Sequence, residues 1–234
     1  YLDYVMDLRR RGVIRHIGIS SHNPMVAMKA AQSGYVEMIL FSINPAFDML
    51  PASEDIDTLF AEKYDAALSG IDPDRAQLYR LCEREDVGIT VMKGFAGGRL
   101  FDAKRSPFGV ALTPAQCIHY ALTHPAVGAV MCGYDTKEQV DQAVAYETAT
   151  DAEKDYASVL AGAPLHSCRG ECTYCGHCKP CPAQLDIAMI NKFYDLAAMQ
   201  PEVPATVRSH YELLEHTASA CIGCHACETR CPFG

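Results

Sequence analysis

Through the first 150 residues, short apolar runs alternate with amphipathic stretches. Residues 13–20, 36–43, 87–93 and 126–132 form continuous runs rather than strict alternations, the pattern of parallel strands covered on both faces. Helix-start signals follow them. Asn23-Pro24, Asp72-Pro73 and Thr113-Pro114 each place a capping side chain before a proline at the first helical position. Thr113 with Gln116, and Thr136 with Gln139, have capping-box spacing. Residues 1–11 form a further helix pattern, stopped by Gly12. A helix followed by four strand–helix units is an α/β pattern with parallel strands. It is either half of an eight-stranded (β/α)8 barrel or part of an open doubly wound sheet. A long polar and acidic insertion separates Asn44 from Ile71, with a helix expected near 55–67.

Beyond residue 150 the pattern changes. A helix is expected at 151–161 and a linker at 162–170, followed by a cysteine run at 172–182. Two helical stretches, 186–199 and 204–216, lead to a second cysteine run at 221–232. The expected organisation is therefore an α/β domain over 1–161 and a mainly helical, cysteine-rich domain over 162–234. The first residue, Tyr1, lies inside a helix pattern and Gly234 has no closing element, so the chain reads as a piece of a longer protein.

Charge narrows the partners. Twenty-nine acidic against 20 basic side chains give a formal charge of −9, a field that disfavours nucleic acid and anionic membranes. No basic patch interleaved with aromatics offsets it, no apolar run has the length of a membrane span, and no signal peptide opens the chain.

Of the 12 cysteines, Cys82, Cys117 and Cys132 lie alone in apolar segments, where a small buried residue is the ordinary reading. The other nine crowd between Cys168 and Cys231. Spacings this close suit a metal centre rather than disulfides, and without a secretion signal reduced thiols in a cytoplasm are expected. The first run has Cys172, Cys175, Cys178 and Cys181 before Pro182; the second has Cys221, Cys224, Cys227 and Cys231 before Pro232. Two residues between cysteines let one tight loop direct consecutive thiolates and backbone N–H groups at one centre. Eight thiolates in two runs match two 4Fe–4S clusters. Structural zinc also uses paired Cys-x2-Cys knuckles, but three cysteines in succession and a fourth before proline fit the bacterial ferredoxin signature better. The first run is one residue short before Cys181, which leaves Cys168 as a spare ligand. In two-cluster ferredoxins the fourth cysteine serves the other run's cluster. On that pattern Cys172, Cys175, Cys178 and Cys231 hold one cluster, and Cys221, Cys224, Cys227 and Cys181 the other. His177 and His225 sit within the loops as bystanders. Such a protein is expected in the cytoplasm of an anaerobic or oxygen-limited cell.

The segments 12–22 (GVIRHIGISSH), 41–45 (FSINP), 91–98 (VMKGFAGG) and 131–133 (MCG), with the cysteine tail, resemble the C-terminal half of an aldo/keto reductase carrying a ferredoxin-like extension. The resemblance implies that 1–161 form half of a TIM-type (β/α)8 barrel, with its site at the C-terminal ends of the strands, and that 162–234 form a ferredoxin-like domain. It implies that Ser20 holds the nicotinamide carboxamide beside Ser21, which replaces the family's asparagine. The loop from Gly94 to Gly98, with Gly97 and Gly98, would cover the pyrophosphate, Lys93 would join the cofactor site beside it, and Gly133, Asp135 and Thr136 would meet the adenosine phosphates. Three features depart from the family: no glutamine lies near Leu40, Met92 stands where an aromatic stacks, and Asp135 replaces an arginine that pairs with the 2′-phosphate. NADH is therefore expected over NADPH. The family's catalytic Asp, Tyr, Lys and His belong to strands upstream of Tyr1, so no catalytic residue is assigned. Lys93 and His22 lie at strand ends, where a surface lysine and a loop histidine are the commoner meaning.

The expected function is an iron–sulfur oxidoreductase acting on a carbonyl or alcohol substrate, with a redox partner such as a ferredoxin. Nicotinamide moves two electrons at once and a cluster one, so a converter such as a flavin stays open although no flavin motif is visible. The alternative is a tail whose clusters are structural or dock a partner.

Overall fold

The computed structural model describes residues 1–49, 70–163, 172, 174–198 and 202–233. The expected helix at 55–67 and Cys168 lie outside the described residues. Four parallel strands form one sheet in consecutive order: β1 (Gly18–Ser21), β2 (Met38–Ser42), β3 (Gly88–Met92) and β4 (Val127–Val130). A doubly wound sheet would reverse its order at a switch point. Consecutive order, with right-handed crossovers, stacks successive helices on one face and is consistent with part of a barrel wall.

The helices are α1 (Leu2–Arg10), α2 (Pro24–Gln32), α3 (Pro45–Asp48), α4 (Pro73–Arg84), α5 (Pro114–Thr123) and α6 (Lys137–Val144). Short helices α7 (Asp151–Lys154) and α8 (Ala157–Ala161) precede the tail helices α9 (Ile187–Ala198) and α10 (Ala205–Glu212). Their starts follow the capping chemistry. Asn23, Asn44 and Asp72 each accept backbone N–H bonds at a helix start with proline at the first helical position. Thr113 and Gln116 form a complete capping box. At α6 the box is half made, because Gln139 Oε1 accepts from the Asp135 amide rather than from Thr136. Among the described residues no helix is long and apolar enough to cross a membrane.

Three expectations are corrected. The first strand begins at Gly18, since residues 13–16 run largely exposed and the chain first pairs where the Glu37 amide reaches the Ile17 carbonyl. The strands are not covered on both faces. Phe41 and Val91, paired neighbours, are fully buried on the helix side. The adjacent row of Ser20, Leu40, Thr90 and Ala129 is only partly covered or exposed. The helix expected over 151–161 breaks between α7 and α8, where Asp155 turns its side chain onto the Ser158 amide.

The core lies on the helix side. Ile39, Phe41, Ile43, Leu78 and Val91 are shielded from solvent, each burial contributing about 1.5–3 kcal/mol. Phe233, two residues after Cys231, belongs to the same cluster, and Cys175 and Cys231 pack against it. The tail is therefore seated on the sheet's helices. Lys192 of α9 reaches Glu83 of α4 at 3.2 Å, and His177 reaches Asp155 at 3.0 Å.

Candidate functional site

The strand-end residues are spread along the C-terminal end of the sheet, from β1 at one side to β4 at the other. Ser20 and Ser21 close β1, Lys93 follows β3, and Gly133, Asp135 and Thr136 follow β4. Ser20 and Ser21 belong to different faces. Ser21 pairs with buried Phe41, whereas Ser20 pairs with Leu40 on the open face. Ser21 Oγ bonds the backbone of Asn23, which shapes the turn into α2. Lys93 adopts φ 61, and its carbonyl accepts a 2.9 Å bond from Asn44 Nδ2. Gly97 and Gly98 take φ 64 and 80, left-handed values that glycine adopts without strain. Gly133, Asp135 and Thr136 are exposed, and the Thr136 side chain caps α6. His22 Nδ1 is buried without a partner among the described residues, and burial, then the charges of Lys93 and Arg75, lower its pKa.

The cysteine runs fold alike. In each run the residue before the second cysteine and the residue after it have positive φ: Tyr174 and Gly176 in the first, Gly223 and His225 in the second. The first thiol of each run meets the amide two residues on, Cys172 with Tyr174 and Cys221 with Gly223 at 3.4 Å. Alternating left-handed residues turn successive N–H groups inward, the arrangement that makes an anion-binding concavity. Arg230 Nη1 donates to the Pro180 carbonyl and, at 3.4 Å, to that of Cys178, so the second run is tied to the first.

A cavity of about 640 Å³ lies between the tail and the helical side of the sheet. Cys172, Cys175, Cys178, Cys227 and Cys231 line it from the tail, and Tyr79, Arg80 and His124 from α4 and the end of α5. Burial pushes the Cys178 thiol up to about 11. Asn191 Nδ2 stands 3.6 Å from Cys172 Sγ, and Tyr174 donates its hydroxyl to Asp195. Cys181 is half-buried, and Cys221 and Cys224 are exposed. Among the described residues, no three His, Cys, Asp or Glu side chains stand close enough to hold one metal ion. The thiolates of a cube bind different irons and need not converge in that way.

No protein-family model matches this chain, and no curated protein does. Among solved structures it is similar to an aldo-keto reductase from Bacillus halodurans in its holo form, at 18% identity and a TM-score of 0.46. The match covers 68% of this chain and 54% of that one, so the chain spans about half the length of that protein. A likeness at this level carries no functional argument.

One polar cluster escaped the sequence reading. Asp48, fully buried, accepts hydroxyl bonds from Tyr79 and, at 2.7 Å, from Tyr120. Arg75 and His124 each stand 3.4 Å from its carboxylate. Arg75 also donates to the Ser42 carbonyl at 2.9 Å and lies over the Phe41 ring at 5.1 Å. Burial alone would raise the Asp48 pKa. The His124 bond, the charges of His124 and Arg75, and the Tyr79 hydroxyl outweigh it and hold the carboxyl low. The signal was present: Arg75 and Tyr79, like Tyr120 and His124, stand four apart on one helical face, and Asp48 interrupts an apolar stretch.

Proposed function

We propose that the chain is an iron–sulfur oxidoreductase segment of aldo/keto reductase type, with two 4Fe–4S clusters in its tail. Cys172, Cys175, Cys178 and Cys231 hold one, and Cys221, Cys224, Cys227 and Cys181 the other. The observation that carries this reading is the repeated loop, with left-handed residues and amide-to-sulfur bonds at matching positions in both runs. The cavity fits the group, since four of its five lining thiols form the proposed crossed set. When bound, such clusters exchange single electrons. Around them Arg230 fastens the loops to each other, Asn191 faces the Cys172 thiol, and Phe233 anchors the last ligand in the core. Anaerobic reconstitution with ferrous iron and sulfide should yield about eight iron and eight labile sulfide per chain. Tight zinc without labile sulfide would refute it.

The strand ends are proposed as half of a dinucleotide site for a small carbonyl or alcohol substrate, completed by the intact protein. Ser20 faces the open side of the sheet, and the glycine loop after Lys93 allows close backbone approach. Asp135 repels a 2′-phosphate and accepts from a ribose hydroxyl, so NADH is favoured over NADPH. Calorimetric titration of the intact protein with both nucleotides tests this, and tighter NADPH binding counts against it. A second reading, in which the clusters are structural, has its own support: Cys175 and Cys231 pack against the core that joins tail to sheet. Clusters that stay oxidised while substrate turns over would favour it.

A further inference from the structure

We infer that the two cluster sites are unequal. Cys172, Cys175, Cys178 and Cys231 form an inner site held against the sheet's helices. Cys221, Cys224, Cys227 and Cys181 form the outer site, where a one-electron carrier protein exchanges electrons. The inference rests on the cluster reading above and gives it a direction.

The surroundings of the two sets differ, although each set mixes exposed and half-buried thiols. The inner set lines the 640 Å³ cavity opposite Tyr79, Arg80 and His124. Two of its members, one from each run, pack against the sheet's core, and Phe233 lies buried two residues beyond the last. Its loop is pinned from both sides, by Asp155 on His177 and by Glu83 on Lys192 of the following helix. Cys172 is itself exposed, so the inner site has one open corner. Among the described residues the outer loop has no such cover. Every residue from Cys221 to His225 is exposed, Ile222 at 67%, and none of the five lines the cavity. Only Cys227 of the outer set reaches the cavity wall, so the two sites meet there. One-electron transfer falls steeply with distance, and the exposed loop, with two exposed thiols against one in the inner set, offers a protein too large to enter the cavity the wider approach. A reduced ferredoxin would lose one electron as the outer site gains one; passing that electron inward returns the outer site to its oxidised state.

The test uses the reconstituted holoprotein, kept anaerobic, with an iron chelator and iodoacetamide as a trap for freed thiols. Iron should leave in two phases, half in each. Peptide mass spectrometry after the first should find label on Cys181, Cys221, Cys224 and Cys227, with the inner set still protected. The half-stripped protein should still be reduced by dithionite but lose most of its rate with reduced ferredoxin. Early label on the inner set would overturn the order. So would release in a single phase, or a mixed first set such as Cys221, Cys224, Cys227 and Cys231. An unchanged ferredoxin rate after stripping would overturn the exchange role. A preparation without labile sulfide would overturn the cluster reading itself, and it would show before any chelator is added.

Discussion

Replacing Asp48 by Asn changes one oxygen to an amide nitrogen at the centre of the buried cluster. The carboxylate has no solvent exposure and faces Tyr79, Tyr120, Arg75 and His124. An asparagine keeps one acceptor, so the two tyrosine hydroxyls can no longer both be served. It also removes the counter-charge of Arg75, which is 1% exposed. Breaking a buried pair from one side costs about 3–5 kcal/mol, mainly through the charge left behind. For a chain of this size that lowers the melting temperature by roughly 6–20 °C. Thermal unfolding followed by circular dichroism gives the number. Adding Arg75→Met to Asp48→Asn should recover part of the loss, because the uncompensated charge goes with it. The pH dependence has a definite sign. The folded pKa of Asp48 lies below its ordinary value, so its stabilisation is present above that ordinary value and is lost as pH falls through the folded one. Asp48→Asn should therefore flatten the acid limb of the stability curve. A cost under about 1 kcal/mol with an unchanged acid limb would refute the account, since ordinary surface substitutions do as little.

Two further outcomes follow from burial and from the seating of the tail. Burial pushes the Cys82 thiol up to about 12 and raises Cys117 as well; at pH 8 only about one Cys82 in ten thousand is thiolate. Iodoacetamide should label neither residue until the chain unfolds, and rapid native labelling would contradict their placement. Lys192→Met removes the partly exposed pair with Glu83 and should cost no more than about 1 kcal/mol. Limited proteolysis should nonetheless cut the tail faster, and unchanged cleavage would mean that Phe233 and the contact of His177 with Asp155 seat it without Lys192.

The parallel strands were legible because apolar runs, prolines and capping side chains agreed locally. Asn23, Asp72 and Thr113 each do what their spacing predicted. Which faces would be covered was not legible, because a continuous apolar run carries no record of how many layers meet it. The break at Asp155 depends on a side chain competing with the helix for the Ser158 amide, a choice that periodicity does not register. The cysteine spacing announced two matching loops, and the backbone repeats between them. It could not tell which loop faces the sheet, because that depends on Phe233, His177 and Lys192 finding partners far away in the chain. The Asp48 cluster joins positions 27 to 76 residues apart, beyond the reach of any local pattern.

Tyr79 and Tyr120 allow the polar cluster to be tested for more than stability. Both donate to Asp48, and both are almost fully buried. Only Tyr79 also lines the cavity beside the inner cysteines. Losing one hydroxyl bond to a charged acceptor costs about 1.5–3 kcal/mol, so Tyr79→Phe and Tyr120→Phe should destabilise by similar amounts. Their effects on a cluster should differ. Hydrogen bonds and local polarity set a cluster's potential, and a cavity wall that loses its hydroxyl becomes less polar. In the reconstituted protein Tyr79→Phe should therefore shift the midpoint potential and the paramagnetic resonance signal of the proposed inner cluster, while Tyr120→Phe leaves both in place. If the two variants shift the cluster equally, the effect travels through general loosening of the helices. If neither does, the cluster around Asp48 serves the packing of α3, α4 and α5 and has no electronic part. Only the split result, with matched losses of stability and unmatched spectra, makes that network a link between the sheet and the tail.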